Sequence, residues 1–156
     1  MQQSKVLVIS ISNPIIVGIY QNDILIETVS KDGKTSDILP SLFDIIMKKY
    51  NVHEIYYVSG PGSYMAIKIA YVFLKTISIV KEIPLFAISG FDLNNNSPIK
   101  ALGKKYFFRD DNKLDDDKIA IKFLNDEKVE PFTLPQKFDK IKYTDDTLPK
   151  YNLPAV

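Results

Sequence analysis

Cysteine is absent from the 156 residues, and histidine occurs once, at His53. Without cysteine the chain has no disulfide framework, no thiol nucleophile and no thiolate metal site. With a single histidine, a zinc site or a Ser-His-Asp arrangement has little to build on, so we expect His53 in a surface loop before a strand. Ser59, Ser63 and Ser89 therefore lack an evident activating base. The residue types present offer no visible catalytic constellation.

An excess of one charge is also absent, because 20 basic residues face 19 acidic ones and the formal net charge is +1. No stretch is dense enough in lysine and arginine to track a phosphate backbone, so nucleic acid is not an obvious direct ligand. The first residues show no export signal, and we expect a cytoplasmic protein. An apolar run at residues 64–80 is at the short limit for a membrane span and contains Lys68 and Lys75, so we expect no membrane contact.

One acidic cluster stands out in this balanced chain. Its members are Asp110, Asp111, Asp115, Asp116 and Asp117. A calcium loop needs a glycine at its sixth position and a closing glutamate, and both are missing. We expect a solvated hairpin turn here.

A glycine turn joins a strand to a long helix in the middle of the chain. The strand is expected at residues 55–58 and the helix at residues 63–80, with Ser63 as its cap. Gly60, Gly62 and Ser63 could cradle an anion at the helix N-terminus, although a simple structural turn is the favoured interpretation. The turn is not a Walker loop, because no Lys-Ser or Lys-Thr pair follows at the required spacing.

Both expected helices carry more apolar surface than one sheet face requires. Between residues 64 and 80 only Lys68, Lys75, Thr76 and Ser78 are polar, so the second helix is apolar nearly all round. The first helix, at residues 36–50 with a cap at Thr35 or Ser36, also has a wide apolar face. Such helices favour burial against a second surface, such as another subunit.

The order of elements predicts an α/β fold. Strands at residues 6–11, 15–20 and 24–29 form an antiparallel meander, and two βαβ crossovers then lead to the strand at residues 84–88. The result is a mixed five-stranded sheet in a lobe spanning residues 1–97. A hairpin is expected within residues 98–130, and residues 131–156 are expected to form an extended, proline-containing tail.

Residues 60–70 resemble the pattern Gly-Pro-Gly-Ser-Phe/Tyr-Thr-Gly-Leu/Ile-Arg-Ile-Gly of the bacterial TsaB (YeaZ) family. The positions that agree are Gly60, Pro61, Gly62, Ser63, Tyr64, Ile67 and Ile69, with Lys68 in place of arginine. Ile38-Leu39-Pro40, Ile83-Pro84-Leu85, Ser89-Gly90-Phe91-Asp92 and Gly103-Lys104-Lys105-Tyr106 are similar to other family segments. The resemblance covers the chain from Val6 to about Phe108 and departs from the family at Met65, Ala66 and Ala70.

The resemblance implies an actin-like ATPase (ASKHA, ribonuclease H-like) lobe with a truncated second lobe. It also implies a noncatalytic scaffold or activator of the protein TsaD, which works with TsaE in threonylcarbamoyl transfer to the adenosine beside the tRNA anticodon. ATP and metal are then expected on TsaD, with no cofactor bound by this chain alone. Contact with tRNA is expected only through the complex, and a homodimer is expected in the absence of TsaD.

In the family the two helices of this lobe form the subunit interface. The interface residues predicted on that basis are Leu39, Phe43, Met47, Tyr64, Ile67, Lys68, Tyr71, Leu74 and Lys75. A noncatalytic role agrees with Ser10, which stands where active ATPases of the superfamily carry an aspartate. Two alternatives stay open: a self-sufficient ATPase or peptidase, and a stand-alone homodimeric interaction module.

Overall fold

The structure is a computed structural model that describes residues 2–110 and 119–151. Its centre is a five-stranded sheet. The strands are β1 (Gln3–Ile9), β2 (Ile15–Gln21), β3 (Ile24–Lys31), β4 (Asn51–Gly60) and β5 (Leu85–Ser89), in the spatial order β3-β2-β1-β4-β5. β1, β2 and β3 pair antiparallel, whereas β4 pairs parallel with β1 and β5. The predicted mixed sheet is confirmed.

Two helices, α1 (Thr35–Lys49) and α2 (Tyr64–Lys81), supply the two crossovers and cover one face of this sheet. The predicted cap of α1, Thr35 or Ser36, is wrong, because the N-cap residue is Lys34. The Lys34 side chain makes no capping hydrogen bond. Ser63 is the N-cap residue of α2 as predicted, but its hydroxyl makes no capping hydrogen bond either. Neither helix of the described chain is long and apolar enough to cross a membrane.

The sheet buries apolar side chains on both faces, as its central strands show. On β1, Val6 and Val8 point to the helices, whereas Leu7 and Ile9 belong to a second core on the opposite face. This alternation follows from the two-residue period of a strand. Because β1 and β4 are apolar on both sides, the sheet needs a cover on each face.

The second cover is residues 131–151, which we call the tail. Phe138 of the tail is buried against the rings of Tyr20 and Tyr56, at centroid distances of 5.1 and 4.5 Å. The Tyr20 hydroxyl donates a hydrogen bond of 2.7 Å to the carbonyl oxygen of Pro135. Leu134 lies over Gly18, where a Cβ atom would come within 2.9 Å of its side chain. The extended tail expected from the sequence therefore forms part of the core.

The tail also bonds to both edge strands of the sheet. At β3, the Leu25 amide donates to the Gln136 carbonyl at 2.9 Å. At β5, Ala87 and Thr144 exchange two main-chain hydrogen bonds of 2.9 and 3.0 Å. The tail thus crosses the sheet from one edge to the other.

A small second sheet follows β5. Its strands are β6 (Ile99–Lys100), β7 (Lys105–Arg109) and β8 (Ile119–Phe123), in that order. β7 and β8 pair antiparallel, as the predicted hairpin requires. Phe91, Ile99 and Phe107 form its core beside a short 3-10 helix (Gly90–Leu93). In the acidic cluster, Asp110 directly follows β7, while Asp111, Asp115, Asp116 and Asp117 lie outside the described residues.

His53 does not lie in a loop, and that prediction is wrong. β4 begins at Asn51, two residues after α1 ends, so His53 is a residue of the strand. Its Nδ1 lies 2.8 Å from the carbonyl oxygen of Ser4, and its Nε2 lies 3.6 Å from Oε1 of Glu54. The imidazole is partly buried and has a structural partner on β1.

Candidate functional site

The outer face of α2 is apolar and exposed. Ile67, Ala70 and Leu74 are buried against the sheet, which points the opposite side of the helix away from the core. On that side Met65 is 58% exposed and Val72 is 55% exposed. These two residues are seven positions apart and therefore share one face of the helix.

A groove of about 420 Å³ lies between the N-terminal half of α1 and this face of α2. We call it the α1–α2 groove. Its floor is closed where the two helices meet, because the rings of Phe43 and Phe73 make an edge-to-face contact with centroids 5.7 Å apart. The lining residues are Thr35, Ser36, Leu39, Pro40, Met65, Lys68, Ile69, Val72, Phe73 and Thr76.

Few polar groups interrupt the groove. The ammonium of Lys68 lies 5.7 Å from the ring centroid of Tyr64, within the range of a cation–π contact. The Thr76 hydroxyl donates a hydrogen bond of 2.6 Å to the carbonyl oxygen of Val72, so it is satisfied within its own helix. The groove can therefore accept an apolar surface, with Lys68 as its one cationic group among the lining residues.

The structure places four of the predicted interface residues in the core. Leu39, Phe43, Ile67 and Leu74 are at most 1% exposed, so the prediction that they lie on the outside is wrong. The reason is that both helices are apolar on more than one face, so that periodicity alone does not show which face meets the sheet.

The other five predicted residues reach the surface to different degrees. They are Met47, Tyr64, Lys68, Tyr71 and Lys75, of which Lys68 is exposed and the others are partly buried. Only Lys68 lines the groove. Sequence reasoning missed Met65 and Val72, although Lys68 and Thr76 mark the same outer face at helical spacing.

The glycine turn is covered by the chain itself. Gly60 has φ +141°, and a Cβ atom there would lie 2.2 Å from the carbonyl oxygen of Lys150. The side chain of Ile11 lies against Gly62 in the same way. The cavity beside the turn has about 40 Å³, which is room for water but not for a nucleotide. Anion binding by Gly60, Gly62 and Ser63 stays a prediction.

The end of the tail joins this turn to α2. The ring of Tyr151 packs against that of Tyr64 at 4.4 Å, and burial raises the pKa of the Tyr151 hydroxyl. The Tyr57 hydroxyl donates a hydrogen bond to the carbonyl oxygen of Thr147, and burial raises its pKa well above the usual range. Both phenols therefore stay neutral at physiological pH and act as packing and hydrogen-bonding groups.

Among the described residues, acidic and histidine side chains do not converge on one point. Within residues 2–110 and 119–151, no group of three or more of them could hold a metal ion. Ser10 is buried at the end of β1, and its hydroxyl has no hydrogen-bond partner in this part of the chain.

The fold defines a class: an α/β lobe with a mixed five-stranded sheet, two helices on one face and a small second sheet. Among solved structures, the chain is similar to YeaZ from Pseudomonas aeruginosa, with a TM-score of 0.58 and 14% identity over 84% of this chain and 68% of that one.

A second Pseudomonas aeruginosa structure, of a protein described as similar to the peptidase YeaZ, gives a TM-score of 0.57 and 14% identity over 84% of this chain and 67% of that one. The YeaZ-like fold predicted from the sequence is confirmed. No family model and no curated protein sequence matches the chain.

Proposed function

We propose that this chain is a noncatalytic, TsaB-like subunit that binds TsaD through the α1–α2 groove and supports threonylcarbamoyl transfer to tRNA. The observation that carries the proposal is the exposed apolar face of α2, with Met65 and Val72 at its centre. The YeaZ-like fold supports it, since in that family this pair of helices is the expected partner surface.

Partner binding would remove these exposed apolar side chains from water. Full burial of a methionine or valine side chain contributes about 1.5–3 kcal/mol relative to leaving it in water. The groove also offers the partly buried Phe73, beside the buried Leu39, as a floor against which a partner's side chain can pack. A helix of similar character on the partner would bury both apolar faces at once.

The proposal divides the work between the two proteins. In this proposal ATP and metal belong to TsaD, and this chain supplies a docking surface and no catalytic group. TsaE and tRNA are contacted through the complex, in the cytoplasm. The absence of cysteine and the single histidine are compatible with that role.

The test is to mix the purified chain with a TsaD homologue and to measure both mass and threonylcarbamoyl transfer. We expect one heterodimer peak in size exclusion with light scattering at micromolar concentration, and transfer only when both proteins are present. Separate elution of the two proteins would contradict the proposal.

Matched variants locate the surface. Met65→Asp and Val72→Asp should each abolish association while the far-ultraviolet circular dichroism stays that of the folded protein. Leu102→Asp is the control, because Leu102 is as exposed as Met65 but lies in the second sheet's turn. Ile67→Asp should instead unfold the chain. Association that survives Val72→Asp and Met65→Asp would place the partner elsewhere.

The two alternatives give different results in the same experiment. A stand-alone homodimer would show a dimer mass for the chain by itself, and this mass would not change when TsaD is added. A self-sufficient ATPase or peptidase would turn over ATP or a peptide without any partner, and such turnover would overturn the noncatalytic assignment.

A further inference from the structure

Three lysines of the tail line one pocket on the sheet face opposite the helices. The pocket has about 240 Å³ and is lined by Asp92, Pro135, Lys137, Lys140, Ile141 and Lys142. We call it the tail lysine pocket. It lies apart from the α1–α2 groove and shares no lining residue with it.

The three ammonium groups have no counter-ion in the described chain. None of Lys137, Lys140 and Lys142 forms an ion pair or a side-chain hydrogen bond within residues 2–110 and 119–151, and this holds for Asp139 between them as well. The one acid that lines the pocket, Asp92, accepts a hydrogen bond of 2.8 Å from Nη2 of Arg109. Its charge is therefore compensated from outside the pocket, which leaves the three lysines without an ion-pair partner among the described residues.

The backbone that carries these lysines is fixed at short intervals. The Phe138 amide donates to the Asp23 carbonyl at 2.7 Å, and the Ile141 amide donates to the Phe138 carbonyl at 3.1 Å. The Thr144 amide then bonds to the Ala87 carbonyl at 3.0 Å. The lysines thus start from an ordered segment, and the entropy cost of gathering them around an anion is reduced.

We propose that the tail lysine pocket binds a polyphosphate chain, such as the triphosphate of a nucleotide. Lysine is a compact, strongly hydrated point charge that binds phosphate oxygens through its three N–H donors. Three lysines without ion-pair partners at one small pocket match a ligand that places several negative charges close together. An extended nucleic-acid backbone fits less well, because it is bound by cations spread along a stripe, and this chain has a net charge of only +1.

The test is calorimetric titration of the whole chain with inorganic tripolyphosphate at about 0.1 M salt. The double variant Lys140→Gln/Lys142→Gln should bind at least about tenfold more weakly, since hydrogen bonds to charged groups are lost. The single variant Lys137→Gln is a second, independent measurement, and it should also bind tripolyphosphate more weakly. The control is Lys100→Gln/Lys104→Gln, which removes the same charge from the exposed part of the second sheet and should leave the affinity unchanged.

Three results would overturn the proposal. The folded protein could fail to bind tripolyphosphate, or the control pair could lose as much affinity as the pocket variants. The third result is that single-stranded RNA binds through these lysines while tripolyphosphate does not. Competition between a nucleoside triphosphate and tripolyphosphate would show that the pocket binds the triphosphate group of a nucleotide. The result does not depend on TsaD, so failure here and failure of the partner proposal are distinguishable.

Discussion

The main-chain amide of Lys150 donates a hydrogen bond of 2.8 Å to the carbonyl oxygen of Ser59, next to the glycine turn. This contact brings the end of the tail to the C-terminal end of β4, where α2 begins one turn later. It explains why Gly60 has no side chain, because the Lys150 carbonyl occupies the space that a Cβ atom would need. The turn and the tail therefore form one structural unit.

The first prediction concerns this unit. Gly60→Ala should lower the free energy of unfolding by about 3 kcal/mol or more, because the strained φ alone costs about 1–3 kcal/mol and the clash with Lys150 adds to it. Urea unfolding measures the loss. Gly103→Ala is the control, since Gly103 has φ +60° and a Cβ atom there would meet nothing within 4 Å. Equal losses in the two variants would show that the tail does not rest on Gly60.

The second prediction concerns the anchor of the tail. Phe138→Ala should lower the free energy of unfolding by about 3–5 kcal/mol, because Phe138 is 3% exposed and packs on Tyr20 and Tyr56. Hydrogen exchange should also become faster at Leu25 and Thr144, whose amides bond across the tail and sheet. Phe123→Ala, at a 62% exposed phenylalanine, should stay within about 0.5 kcal/mol of the original. A small loss at Phe138 would mean that the tail is not part of the cooperative core.

The third prediction is a pH dependence at Tyr57. Burial raises the pKa of Tyr57 in the folded chain above the unfolded value of about 10. The neutral hydroxyl therefore makes its full contribution to the free energy of unfolding below about pH 10. This contribution is lost as the pH rises further. Tyr57→Phe should cost about 0.5–1.5 kcal/mol at neutral pH, since the Thr147 carbonyl loses its donor.

Urea midpoints of the two proteins, measured from neutral to alkaline pH, test this dependence. The difference between the original chain and Tyr57→Phe should narrow above about pH 10, because only the original chain has this phenol to ionise. A difference that stays constant across the range would contradict the assignment of a raised pKa to Tyr57.

The sequence predicted the order of strands and helices well, because the signals are local. The run of apolar residues at 64–80 predicted a helix that the structure places at Tyr64–Lys81. The orientation of that helix was not predictable, since Ile67 and Val72 are equally apolar and only the fold decides which is buried. His53 was misplaced because a single residue, Tyr50, separates α1 from β4, so the strand begins at Asn51, four residues before the predicted start at Ile55.

The docking of the tail on the sheet is the feature that local sequence patterns predict least well. Phe138 is a single aromatic residue between Lys137 and Asp139, and nothing in that stretch repeats with the period of a strand or helix. Its burial depends on Tyr20 and Tyr56, which are more than eighty residues away along the chain. Long-range packing of this kind produces no periodic pattern in the sequence. Neither the docked tail nor the lysine pocket that it creates could therefore be predicted from local patterns.

The path of the tail from β3 to β5 has a consequence during synthesis. Until residues 131–151 leave the ribosome, one face of the sheet and both of its edge strands are uncovered, with Leu7, Ile9 and Val58 open to water. Unpaired edges and apolar faces are what make partly folded chains aggregate. The growing chain is thus most vulnerable just before residues 131–151 arrive, and a chain terminated near residue 130 should depend on chaperones to stay dispersed.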